Sequence, residues 1–192
     1  MAPTEKFLAF LDTETGGLIP GKSPVLEIAT ILTDLDGNDI GTFESKILLR
    51  PGDVVDPAAA KINGYDASVW QKEAKPFAEY MAWLHGLIPF GSVAIPVGHN
   101  VGFDRDMIDL GYYKPAQRFC PLSYHKIDTV ALAAAMRLAG LIQCENLKLA
   151  TVAAALKIEM GAAHRAASDC VAARKVFLRA VQCMRAGAAV PV

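Results

Sequence analysis

Cysteine is scarce: Cys120, Cys144, Cys170 and Cys183 offer no Cys-x-x-Cys spacing for zinc and no regular disulfide framework. Their scatter through apolar surroundings implies a reducing compartment, and a cytoplasmic location is expected. No apolar run approaches the ~18 residues of a membrane span. The stretch Phe7 to Leu11 is too short for the apolar region of a signal peptide and is interrupted by Asp12. No membrane partner is therefore expected. No segment rich in proline, glycine or serine divides the 192 residues, and no internal repeat is present. A single domain over residues 1–185 follows, with residues 186–192 as a frayed, flexible tail. An excess of positive charge is missing too: 19 Lys and Arg stand against 20 Asp and Glu, a net charge of −1. That excludes the global basicity of a nonspecific nucleic-acid binder, so attraction for a polyanion has to be local.

What is present is an ordered series of short periodic segments. Strand-like runs at Phe7–Asp12, Val25–Asp34 and Ile40–Leu49 come first, with Asp36-Gly37 as a turn signal between the second and third. That order predicts an antiparallel meander. Helical patterning follows over Pro76–Leu87, then a strand at Ser92–Val97 and a helix through Leu110. A short strand at Lys126–Asp128 leads into helices ending at Ala139, over Leu147–Leu156, and over Ala166–Met184. Three strands followed by alternating elements describe an α/β layer fold, a mixed β-sheet flanked by α-helices.

Four carboxylates and a histidine stand out against this pattern. Strand side chains alternate sides, so Asp12 and Glu14 in Phe7-Leu8-Ala9-Phe10-Leu11-Asp12-Thr13-Glu14 point to one face, about 7 Å apart, where they can share metal ions. Asp104 falls in the first turn of the helix that follows the polar turn Gly98-His99-Asn100. His164 and Asp169 are five apart, a rotation of about 140° on one helix, so they cannot share a face if both are helical. His164 therefore precedes the helix, Asp169 lies in its first turn, and Gly161-Ala162-Ala163 is small enough to form a mobile loop. Oxygen-rich ligands of this kind suit hard ions such as Mg²⁺ and Mn²⁺. Four clustered carboxylates would repel a phosphodiester, and two divalent ions offset those charges.

Three segments resemble the motifs of the DnaQ-like 3′-5′ exonucleases, in the subclass whose general base is histidine. Asp12-Thr13-Glu14-Thr15-Gly16-Gly17-Leu18 is similar to the first, Asn100-Val101-Gly102-Phe103-Asp104 to the second, and His164-Arg165-Ala166-Ala167-Ser168-Asp169 to the third. Order and separations fit as well, so the resemblance covers roughly Lys6 to Met184. The sister subclass has a tyrosine four residues before the last aspartate, where this chain has Arg165. Many relatives also carry a second threonine where Gly16 stands.

The resemblance implies a ribonuclease H-like mixed sheet and removal of nucleoside 5′-monophosphates from a free 3′ end by a two-metal mechanism, with Mg²⁺ as cofactor and Mn²⁺ as its substitute. It assigns Asp12 as the bridging ligand, Glu14 and Asp169 to the nucleophile-side ion, Asp104 to the other, and His164 as base. Imidazole suits that role near neutral pH. It further implies substrate-binding positions at Thr13, Thr15, Leu18, Ile62, Asn63, Asn100 and Phe103, with Leu18 as an apolar wedge near the terminal base. Nucleic acid with a free 3′ end is the expected partner, single-stranded DNA being favoured, and a homodimer or a polymerase partner is compatible with the same motifs.

Taken singly, each residue has a plainer reading. An Asp-x-Glu at a strand edge is usually solvated, Asn100 suits a helix N-cap, Phe103 suits the core, and Asn63-Gly64 suits a helix C-cap. Asp128 matches a structural strand end. From Gly111 to Ile127 there are no acids, while Lys114, Arg118 and Lys126 interleave with Tyr112, Tyr113, Phe119 and Tyr124. That mix can track a single strand, or the aromatics can seal the core. Three alternatives to a DNA exonuclease stand: an RNA-trimming exoribonuclease of the same family, a catalytically silent fold that binds nucleic acid or protein, and an endonuclease of ribonuclease H type.

Overall fold

The computed structural model describes residues 4–162 and 164–186. Alternation along the first strand decides the layering. In β1 (Thr4–Thr15), Leu8 and Phe10 face one side and Ala9 and Leu11 the other, and all four are buried. β1 pairs antiparallel with β2 (Val25–Asp34), and β2 with β3 (Asp39–Lys46), which is the expected meander. β4 (Ser92–Gly98) then joins the other edge of β1 in parallel, and β5 (Ile127–Asp128) follows it, giving the order β3-β2-β1-β4-β5. Pro96 is tolerated inside β4 because pairing with β5 begins only at Val97.

Both faces are covered. On one, Phe77, Tyr80, Met81 and Leu84 of α3 (Phe77–Leu87) and Val101, Met107 and Ile108 of α4 (Val101–Ile108) pack against Ala9, Leu11, Ile28 and Leu32. On the other, Ala166 and Cys170 of α7 (Ala166–Ala186) pack against Leu8, Phe10, Ala29 and Ile31. A third cluster joins α7 to α5 (Thr129–Leu138) and α6 (Leu149–Ala155) through Ala133, Met136, Val152, Leu156, Val176 and Ala180. Each large side chain buried in these layers contributes about 1.5–3 kcal/mol. The chain thus forms a mixed sheet flanked by helices, as expected.

Several boundaries differ from expectation. β3 stops at Lys46 because the next residues turn to Lys75, with the Leu48 amide donating to its carbonyl at 2.8 Å. Residues 57–63 form a helix, α1 (Pro57–Asn63), capped by the Asp56 side chain and closed by Gly64 at φ 63°. A further helix, α2 (Ala67–Glu73), was not legible from periodicity; Asp66 caps it, and the Trp70 indole donates to the Leu26 carbonyl at 2.9 Å. α4 opens into a π-helical turn at Asp109–Tyr113. Ala186, the first residue of the expected tail, ends α7, and residues 187–192 lie outside the described residues.

Candidate active site

The parallel strands β1, β4 and β5 end at the same edge, the carboxyl edge where α/β sheets place ligands. Asp12 and Glu14 stand there on β1 and share the face covered by α7. Asp169 sits in the first turn of α7 and meets them on that face. Asp104 arrives from the opposite layer, in the first turn of α4. Only 4% of its surface is exposed, and Thr13, between the two β1 acids, donates to Asp104 Oδ1 from its backbone N–H at 2.9 Å and from its hydroxyl at 2.7 Å. His164 precedes α7, exposed, with a left-handed backbone at φ 56°. The segment Gly161-Ala162-Ala163, expected to be a mobile loop, includes residue 163, which lies outside the described residues.

Crowding of like charge in a dry site dominates the electrostatics. Burial first, then the charges of Asp104, Asp169 and Glu14, raises the Asp12 carboxyl well above the ordinary carboxylate range. Burial, with Asp169, Glu27 and Asp104 adding to it, pushes Glu14 up to about 7. Burial also raises Asp104, against the pull of the two Thr13 bonds, and raises Asp169, where His164 opposes it.

Such a set fits divalent cations. Asp169 Oδ1 is buried among the described residues with no hydrogen-bond partner. One ligand atom each from Glu14, His164 and Asp169 can be chosen so that all lie within 4.8 Å of one another. Asp12 stands outside that triplet among the described residues and is joined to it by the charges of Glu14 and Asp169.

The remaining expected site residues divide into exposed side chains and scaffold. Leu18 is 82% exposed and Ile62 is 58% exposed. Asn63 is buried, and its amide donates to the Thr15 carbonyl at 2.9 Å, which ties α1 to the end of β1. The Thr15 hydroxyl is turned to the Gly17 carbonyl at 2.7 Å, and Thr13 is committed to Asp104. Asn100 holds the N-cap position of α4 in a left-handed conformation, exposed, without a side-chain capping bond. Phe103 packs against the main core. Asp128 caps α5 through the Val130 amide and also accepts the Asn100 amide, a structural part. At Gly16 any Cβ would lie 2.9 Å from Pro24, so this backbone has no room for the threonine that many relatives carry.

Of the aromatics between 111 and 127, Tyr112 and Tyr113 are buried, Tyr112 stacking on Phe77 at 3.7 Å, whereas Phe119 and Tyr124 are exposed. Lys126 reaches over Gly102, within the second motif. Sequence reasoning gave no role to His99 or Glu27 and none beyond subclass to Arg165. His99 bridges Thr129 Oγ1 and the Leu147 carbonyl at 2.9 and 2.8 Å. Glu27 and Arg165 form an ion pair at 3.1 Å beside Glu14. The signal for Glu27 was a charge inside the apolar run Val25-Leu26-Glu27-Ile28-Ala29.

A family profile described as exonuclease, of the ribonuclease T type, matches residues 9–177. No curated protein matches the chain. Among solved structures, Escherichia coli exonuclease I in complex with a dT13 oligonucleotide is 22% identical with a TM-score of 0.73, over 95% of this chain and 42% of that one. Exonuclease I from Methylocaldum szegediense is 21% identical with a TM-score of 0.74, over 95% and 41%. A zinc-bound E. coli exonuclease I complex with single-stranded DNA is 23% identical with a TM-score of 0.73, over 94% and 41%. The chain therefore spans about two fifths of the length of these structures and shares their fold.

Proposed function

We propose, since the chain belongs to the exonuclease family of ribonuclease T type, among the DnaQ-like 3′-5′ exonucleases of the ribonuclease H-like superfamily, that its acidic cleft releases nucleoside 5′-monophosphates from the 3′ end of nucleic acid. The observation that carries this reading is the convergence of Asp12, Glu14, Asp104 and Asp169 from both layers, with His164 against Glu14 and Asp169. Residues 1–185 act as one exonuclease domain in this reading.

Asp12, Glu14, Asp104 and Asp169 would hold two divalent cations, Mg²⁺ or, in substitution, Mn²⁺. Bound there, such ions supply Lewis acidity to the attacking water and to the leaving 3′ oxygen and offset the charge of the phosphodiester. The protein's own part is to gather the carboxylates, to fix Asp104 through Thr13, and to accept a proton. His164 accepts that proton from the attacking water, a role supported by its place beside Glu14 and Asp169. The exposed Leu18 and Ile62 would offer apolar surface on which a terminal base can rest.

Single-stranded DNA is the favoured substrate; the oligonucleotide complexes of the structurally similar exonuclease I support it by fold alone. RNA trimming is the rival within the family. Among the described residues no helix is long and apolar enough to cross a membrane, and the four free cysteines agree with a cytoplasmic setting.

The test is a gel time course on end-labelled single-stranded DNA and RNA of matched sequence, with Mg²⁺, Mn²⁺ or EDTA, beside a covalently closed single-stranded circle. A metal-dependent ladder shortening from the 3′ end, absent in Asp12→Ala and absent on the circle, is expected. His164→Ala should keep metal and strand binding but lose about 10²-fold or more in turnover. Cleavage of the circle would turn the reading to an endonuclease, and no cleavage under any metal would turn it to a silent binding fold.

A further inference from the structure

Glu27 stands on β2 directly opposite Glu14 of β1, so two carboxylates share one face at the mouth of the site. Like charges so placed repel, and Glu27 is only 6% exposed. A buried carboxylate in this position needs a cation. Lys46, its register partner on β3, is engaged elsewhere: the ammonium binds Glu73 at 2.8 Å and lies over the Trp70 ring. The other cation beside Glu27 is Arg165, whose Nη2 lies 3.1 Å from Glu27 Oε1.

Arg165 directly follows His164 and directly precedes α7. Its carbonyl accepts the Asp169 amide at 3.1 Å, while its guanidinium stands in ion-pair range of Glu27 Oε1, a buried atom with no hydrogen-bond partner among the described residues. The residue thus links the helix, through its carbonyl, to the sheet, through its charge, next to a histidine in a left-handed conformation. We propose that the Glu27–Arg165 ion pair is a positioning device that holds His164 against Glu14 and Asp169. It rests on the reading of His164 as proton acceptor. In this proposal Arg165 acts through its neighbour; its side chain is 42% exposed with Nη2 toward Glu27 Oε1, and the KM of its variants separates that role from a strand contact.

The consequence is a loss of rate with binding preserved, since a small misplacement of a proton acceptor costs up to about 10²-fold while strand contacts are untouched. Glu27→Gln, Arg165→Met, Arg165→Lys and the double variant Glu27→Gln/Arg165→Met of the full chain are to be compared in steady-state cleavage of a single-stranded oligonucleotide. Amide hydrogen exchange at His164 and Arg165 is followed in parallel. Each of the first two variants should lower kcat about 10- to 100-fold with KM within about threefold. The double variant should be no worse than either single one. Arg165→Lys, which keeps the charge, should recover much of the loss, and faster exchange at both amides should accompany each loss of rate.

Unchanged kcat in Glu27→Gln and Arg165→Met would overturn the proposal. So would a raised KM with kcat kept in Arg165→Met, which would make Arg165 a phosphate contact. Should the unaltered chain cleave no substrate, the reading of function fails instead, and the exchange data decide the positional claim alone. Unaltered exchange at His164 and Arg165 in Glu27→Gln would then sink it. Arg165→Lys and Glu27→Gln keep the test open if Arg165→Met does not fold.

Discussion

Thr13 binds one oxygen of Asp104 twice, through its backbone N–H at 2.9 Å and its hydroxyl at 2.7 Å. Two donors on Oδ1 fix the carboxylate's rotation and leave the other oxygen for the cleft. The residue between the two β1 acids thereby ties the α4 acid to them across the strand. Thr13→Val keeps the shape and removes only the hydroxyl. Urea unfolding should show a loss of about 1–3 kcal/mol, the cost of leaving a buried charged acceptor one donor short. Turnover should fall with little change in KM; a variant as stable and as fast as the parent would show that the backbone N–H alone holds Asp104.

Metal-free protein should grow less stable as pH rises toward neutrality. Asp12, Glu14, Asp104 and Asp169 all titrate above their ordinary range in the folded state, Glu14 at about 7 against 4.5. The folded chain therefore holds protons that the unfolded chain releases, so this contribution is complete below about pH 4 and is lost as pH rises through about 7. Thermal melts in EDTA should show Tm falling across that window, and added Mg²⁺ should raise Tm more at pH 8 than at pH 5. A Tm independent of pH and metal would rule out the carboxylate cluster as the cause of the shifts.

Gly98 ends β4 with no room for a side chain, since a Cβ there would lie 2.6 Å from the Leu11 carbonyl. That neighbour is backbone and cannot yield cheaply. Gly98→Ala should cost about 1–3 kcal/mol and disturb the adjacent Asp12, lowering turnover as well as Tm. Full activity in this variant would mean that the β1 and β4 ends part without consequence.

Leu18 is largely exposed and makes no core. Leu18→Ser should leave Tm within about 1 °C, because surface changes of this kind usually stay within ±0.5 kcal/mol. A KM several-fold higher on single-stranded DNA is the expected result, and an unchanged KM would remove Leu18 from the substrate-binding surface.

The sequence by itself determined the layers of the fold, which are written in local periodicity, and offered the three motif segments through their resemblance to a known family. Alternation along Phe7–Asp12 set the faces of β1, and a rotation of about 140° separated His164 from the helix of Asp169. Short-range chemistry also settled Gly64 as a helix cap. The helix at Ala67–Glu73 was hidden because its one turn of capping and the docking of Trp70 on Leu26, 44 residues away, sustain it instead of a periodic apolar face.

Only the tertiary structure decided how the site is held. Asn63 donates to the Thr15 carbonyl and the Thr15 hydroxyl to the Gly17 carbonyl, and Thr13 is bound to a residue 91 positions away. Glu27 reads as an odd charge in an apolar strand until register sets it against Glu14 and the helix brings Arg165 to it. Residue type reports what a side chain can do, whereas its partner depends on which segments the folded core brings together, and burial makes that pairing obligatory.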